Sequence, residues 1–172
     1  RLELRLSVEP GKRIWLLDKE KVEQTIYYLV TSVIESSEAG GEIRIHVSRK
    51  TKTLNIAVWL SHPWLGGGLP QVNFHPSPIL NSLSLGKEGL DTKNNHGERE
   101  SHVLTTSGLE LALKNANVLQ DTSQNIPTQE ILGLLLSCNL VESHGGKIVL
   151  EGSSESGYRY ILMLPKIAAD ED

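Results

Sequence analysis

The sequence predicts an α/β (α+β) sandwich of two layers, in which a mixed, mostly antiparallel sheet carries helices on one face. Three observations lead there. The expected elements run strand, helix, two strands, a long polar stretch holding one short helix, helix and two strands, which is not the alternation that builds a parallel sheet of βαβ units. The strands alternate apolar and polar residues, so each offers one apolar side to a core. A late helix is apolar nearly all round, which means burial against a sheet. The 172 residues fit one domain, 1–172, able to bury a full core without disulfides or a structural metal.

Residues 2–8 set Leu2, Leu4, Leu6 and Val8 against Glu3, Arg5 and Ser7, the period-two pattern of a half-buried strand, and Glu9-Pro10-Gly11 ends it as a turn. Ile14–Leu17 is a short apolar run. Asp18 then stands as N-cap of a helix whose apolar positions, Val22, Ile26, Leu29, Val30, Val33 and Ile34, recur at three and four. Glu38-Ala39-Gly40-Gly41 stops that helix. Ile43, Ile45 and Val47 form one strand, and Leu54, Ile56, Val58 and Leu60 a second, joined by the short polar link Arg49–Lys52 of an antiparallel hairpin.

From His62 to Pro127 the composition turns to Gly, Pro, Ser, Asn and charge. This stretch reads as a long insertion or lid at about 61–128, with His75–Pro78 and Gly86–Ser101 its least foldable pieces and Gly86–Ser101 expected to be the most mobile. One island differs: Ser107-Gly108-Leu109-Glu110 is a capping box opening a short helix with Leu109, Ala112, Leu113 and Ala116 on one face. A further helix runs from Thr128 to Val141. The hairpin Lys147–Glu151 and Tyr158–Leu164, turned by Gly152–Gly157, completes the sheet, and Ala168–Asp172 is an expected frayed tail.

Charge and composition narrow the function. With 17 Lys+Arg against 21 Asp+Glu and a net charge of −4 there is no global basic field, so nucleic acid is not an expected partner. The single cysteine, Cys138, lies in an apolar run, where it cannot form an intrachain disulfide; this fits a core role in a reducing cytosol. No stretch reaches the ~20 apolar residues of a membrane span and Arg1-Leu2-Glu3-Leu4-Arg5 lacks a signal-peptide layout, so the expected location is cytoplasmic. The absence of an initial Met suits a domain excised from a longer protein. Histidines 46, 62, 75, 96, 102 and 144 show no metal-ligand spacing, and neither a Gly-x-Ser-x-Gly elbow nor a Walker-type motif occurs. Trp15 and Trp59 suit packing; Trp64, in a glycine-rich loop, suits packing or an exposed contact.

The residues from Gly133 to Gly152, continuing through Tyr158–Pro165, resemble the end of a histidine-kinase-type ATP-binding domain: a glycine opens a buried helix, His144-Gly145-Gly146 closes it, and a hairpin ends in Leu164-Pro165. Asp18, followed by Gln24 and a helix, matches the same pattern. The chain thus resembles the GHKL superfamily of gyrase, the large heat-shock chaperone, the mismatch-repair ATPases and the sensor histidine kinases, the last fitting best, over residues 12–60 and 129–165. The resemblance implies a Bergerat-type ATP-binding fold, ATP and magnesium as cofactors, a histidine protein kinase activity class, and a place in two-component signalling. Its implied partners are a helical dimerisation and phosphoacceptor hairpin, outside these 172 residues, and a response regulator.

Carried over position by position, the resemblance places the asparagine positions of the N box at Tyr28 and Ser32, with Ser32 as the metal position, and its basic residue at Glu35. A serine hydroxyl reaches less far than the amide it replaces, and a glutamate repels phosphate. The same residues also suit an ordinary amphipathic helix with Ser32 and Glu35 on its solvent side. The aspartate that accepts a hydrogen bond from the adenine amino group falls at Leu60, which cannot accept one. The following glycine turn falls on Gly66, Gly67 and Gly68 before Leu69-Pro70, a run that equally suits a plain flexible loop. The three phosphate-cradling glycines fall at Gln129, Ile131 and Gly133, so only Gly133 keeps the family residue. Two functions follow from the resemblance: a degenerate pseudokinase module that regulates by docking, or an active catalytic domain that phosphorylates a histidine on the absent hairpin.

Overall fold

The computed structural model describes residues 2–11, 14–35, 41–61, 100–118, 128–153 and 157–166. In chain order these form β1 (Leu2–Val8), α1 (Lys19–Glu35), β2 (Gly41–Arg49), β3 (Thr53–Ser61), β4 (Glu100–Leu104), α2 (Thr106–Val118), α3 (Thr128–Glu142), β5 (Lys147–Ser153) and β6 (Gly157–Pro165). One six-stranded sheet has the order β1-β2-β3-β6-β5-β4. Only β1 and β2 run parallel; every other neighbouring pair is antiparallel. The expected two-layer sandwich with a mixed, mostly antiparallel sheet is the observed fold.

The registers line up one continuous apolar face. Ile43 stands opposite Leu60, Ile45 opposite Val58, Ile56 opposite Leu162, and Ile148 opposite Leu162 from the other side. Leu29 and Val33 of α1, Leu109 of α2, and Leu134, Cys138 and Val141 of α3 close over this face in a single core. Within the helical layer α3 packs along α1 on one flank and α2 on the other. Burial on this scale supplies the main favourable free energy of folding, about 25 cal/mol per Å² of apolar surface.

Helix ends follow local chemistry. Asp18 caps α1 as expected: its carboxylate accepts a hydrogen bond from the Lys21 amide at 3.2 Å. At the far end of α3, Gly145 adopts φ +67°, its amide donates to Glu142 O at 2.9 Å, and the Gly146 amide donates to Val141 O at 3.0 Å. This Schellman arrangement needs a residue at ease in the left-handed region. His144 serves as the expected capping side chain, with Nδ1 2.9 Å from Leu140 O. Because a carbonyl can only accept, that contact places the imidazole proton on Nδ1.

Four expectations are corrected. The half-buried strand at residues 2–8 is a strand, but Leu4, Leu6 and Val8 are 65%, 63% and 48% exposed, because β1 is an edge strand with no helix over its apolar side among the described residues. The capping box shifts: Thr105, not Ser107, caps α2, its hydroxyl accepting from the Gly108 amide at 3.1 Å. Two further α2 donors, the Thr106 amide and hydroxyl, go to the Glu142 carboxylate at 2.9 and 2.8 Å, a tertiary cap invisible to local spacing. The polar stretch also holds a strand, β4, that takes in Glu100 and Ser101 and pairs with β5. Lastly, α3 is not buried all round, since Leu132 and Leu136 face outward. The rest of the expected insertion, His75–Pro78 and the tail Ala168–Asp172 lie outside the described residues.

Candidate functional site

The positions singled out on α1 and α3 meet where the two helices cross. A Cβ built on Gly133 would stand 3.7 Å from Ser32 Oγ and 3.8 Å from both Cβ and Cδ1 of Tyr28. These are ordinary contact distances, and Gly133 is not among the glycines with positive φ, so neither crowding nor backbone strain demands glycine there. Ser137, one turn on, donates from Oγ to Gly133 O at 2.9 Å within the buried face. Tyr28 is half-buried and meets the exposed Tyr27 edge to face, ring centroids 5.6 Å apart.

Ser32 is buried, only 1% exposed, which removes it from the solvent side where a plain amphipathic helix would place it. Glu35, the last residue of α1, is exposed. The two positions thus separate: one hydroxyl lies inside the helix interface, and one carboxylate lies in water. Leu60 and Ile131 are both fully buried. Leu60 packs over the start of β2, where Gly41 at φ +135° would put a Cβ 3.0 Å from Leu60 Cδ1. Gln129 belongs to the first turn of α3, while Gly66, Gly68 and Trp64 lie outside the described residues.

Burial sets the local electrostatics. Cys138, also on α3, has its thiol pKa pushed from 9.0 to about 12, first by burial and second by the Glu142 carboxylate. Sequence reasoning missed Glu142 and Ser61. Glu142 joins the end of α3 to the start of α2 through the two hydrogen bonds above, and Ser61 is buried beside Leu60 at the end of β3. Glu142 carries no spacing signal, because it acquires its role from another element. Among the described residues no three His, Cys, Asp or Glu side chains converge as a metal site.

No protein-family model and no curated protein matches this sequence. Solved structures do match its fold. A nucleotide-free form of the catalytic domain of histidine kinase ThkA aligns with a TM-score of 0.54 and 18% identity over 96% of this chain and 79% of that one. A second nucleotide-free form of the same domain gives a TM-score of 0.53 at 18% identity, covering 96% and 80%. Full-length ShkA in complex with AMPPNP aligns with a TM-score of 0.53 at 14% identity, over 98% of this chain but 26% of that chain. At such identities the likeness is one of fold: the chain folds like the catalytic domain of histidine kinase ThkA.

Proposed function

We propose that this is a degenerate histidine-kinase-like domain of a two-component signalling protein, a pseudokinase module that binds ATP weakly or not at all and acts by docking. The observation carrying the proposal is that Leu60 and Ile131, at the family's adenine and phosphate positions, are fully buried in the apolar core. A side chain without an acceptor leaves the adenine amino group unpaired, at a cost of about 1–3 kcal/mol and most of the selectivity for adenine. Ser32, at the magnesium position, is enclosed between α1 and α3, and an octahedral ion that retains several waters does not fit so closed a place. The residues present thus suit neither ATP nor magnesium, and no phosphoryl-transfer step is assigned to them. The docking partner in this reading is a helical dimerisation and phosphoacceptor hairpin of the same or a partner kinase, with a response regulator further along the pathway.

Nucleotide titration tests it. A site with a Kd near 50 µM, probed at about 5 mM magnesium-AMPPNP, would add ~2.7 kcal/mol to stability by mass action, a shift of several degrees for a domain of this size. The expected result is an unchanged melting temperature with and without magnesium. A saturable upward shift would overturn the pseudokinase reading in favour of the active catalytic domain.

A further inference from the structure

The sheet ends on a strand unlike a protected edge. β1 spans seven residues, Leu2–Val8, without proline, glycine or lysine, whereas the opposite edge, β4, has five. Natural edges are blunted by shortness, proline, bulges or charged side chains, lysine above all, and of these β1 has only the charges of Glu3 and Arg5. Its apolar side is open as well, with Leu4 and Leu6 more than half exposed. Charge adds a third feature. The parallel register with β2 sets Glu3 opposite Glu42 and Arg5 opposite Arg44, like against like, with Glu42 held between Arg5 at 3.6 Å and Arg44 at 3.1 Å.

We propose that β1 pairs with β1 of a second copy of this chain, antiparallel about a two-fold axis at Leu4. In that register Glu3 faces Arg5 of the second copy, Arg5 faces its Glu3, Leu2 faces its Leu6, and Leu4 faces its own equivalent. Shifting the axis by one residue sets Arg5 against Arg5, or Glu3 against Glu3, and shifting it by two loses both Glu3–Arg5 pairs, so charge favours this register. The outer backbone groups of β1, unpaired among the described residues, are then paired in both copies, and Leu4 and Leu6 of each chain share one apolar cluster. Two six-stranded sheets become continuous. The interaction is independent of nucleotide and of the docking function proposed above.

Cross-linking reads the register directly. Opposed residues in an antiparallel pair have Cα atoms ~4.5–5.5 Å apart, within the range a disulfide spans. Leu4→Cys is therefore expected to form a disulfide-linked dimer under mild oxidation. Leu6→Cys, equally exposed but displaced from its equivalent by about 13 Å along the strands, is not. The native Cys138 does not interfere, being buried with its thiol pKa raised to about 12. Sedimentation of the otherwise native chain should show a concentration-dependent dimer. Arg5→Glu should weaken that dimer about tenfold, and Glu3→Arg combined with Arg5→Glu should restore it. A chain monomeric at every concentration, equal cross-linking at positions 4 and 6, or association indifferent to Arg5→Glu would each overturn the proposal.

Discussion

Cys138 shows how one side chain reports on the core that surrounds it. Its thiol is enclosed by the apolar faces of α3 and the sheet, and the neighbouring Glu142 carboxylate adds to the cost of a thiolate. The folded-state value of about 12 lies above the ordinary 9.0. A group raised in this sense holds its proton more tightly when folded, so its contribution to stability is complete below pH 9.0 and is lost as pH rises toward 12. Since the thiolate is the reactive species, Cys138 should resist iodoacetamide at pH 8 in the native protein and react on unfolding in urea. Rapid native-state alkylation would show that α3 does not seal this side of the core. Leu60 and Ile131 belong to the same interior, and their burial turns a sequence-level mismatch into a packing argument.

At the scale of elements, the exit from α3 is the most demanding junction. Gly145 has the left-handed φ of +67° with only Pro165 Cγ near its missing Cβ, at 3.7 Å. Gly146 has an ordinary φ, but a Cβ there would fall 2.6 Å from Met163 O and 2.9 Å from Val141 Cγ1. Gly145→Ala should cost about 1–2 kcal/mol for the backbone conformation alone. Gly146→Ala must push α3 away from β6, and should cost more, about 3 kcal/mol at the upper end of overpacking effects. Urea midpoints of the two variants check the order; a milder Gly146→Ala would mean that the helix exit yields easily. The His-Gly-Gly turn was legible in the sequence because helix termination is local chemistry. The Thr105 cap and β4 were not. Glu142 reaches Thr106 from another helix, and among the described residues β4 sends only Leu104 to the buried core, so neither leaves a periodic trace.

For the whole molecule, alternating strands and the α1 periodicity were enough to define a two-layer sandwich, since one apolar face per strand leaves few other packings. The exposure of β1 was not legible, because the same Leu-Glu-Leu-Arg alternation describes a strand that is covered and one that is not. The candidate site was legible as positions but not as a volume: the resemblance named Tyr28, Ser32 and Gly133, and only the fold brings them together. The proposed degeneracy can be tested by reversal on this scaffold. Under that proposal Leu60→Asp, Gln129→Gly and Ile131→Gly together would supply an adenine acid and phosphate glycines. The acid would replace a fully buried leucine, and an unpaired carboxylate in an apolar core costs several kcal/mol. Each glycine inside α3 costs about 1 kcal/mol in helix propensity, and Ile131→Gly empties a buried site as well. Against a typical total stability of about 5–15 kcal/mol these losses are severe. The triple variant should therefore unfold at much lower urea, by circular dichroism, and bind no measurable ATP. A folded variant with micromolar ATP affinity would show that the cavity survives beneath the altered contacts, and that Leu60 and Ile131 cover a nucleotide pocket instead of filling it.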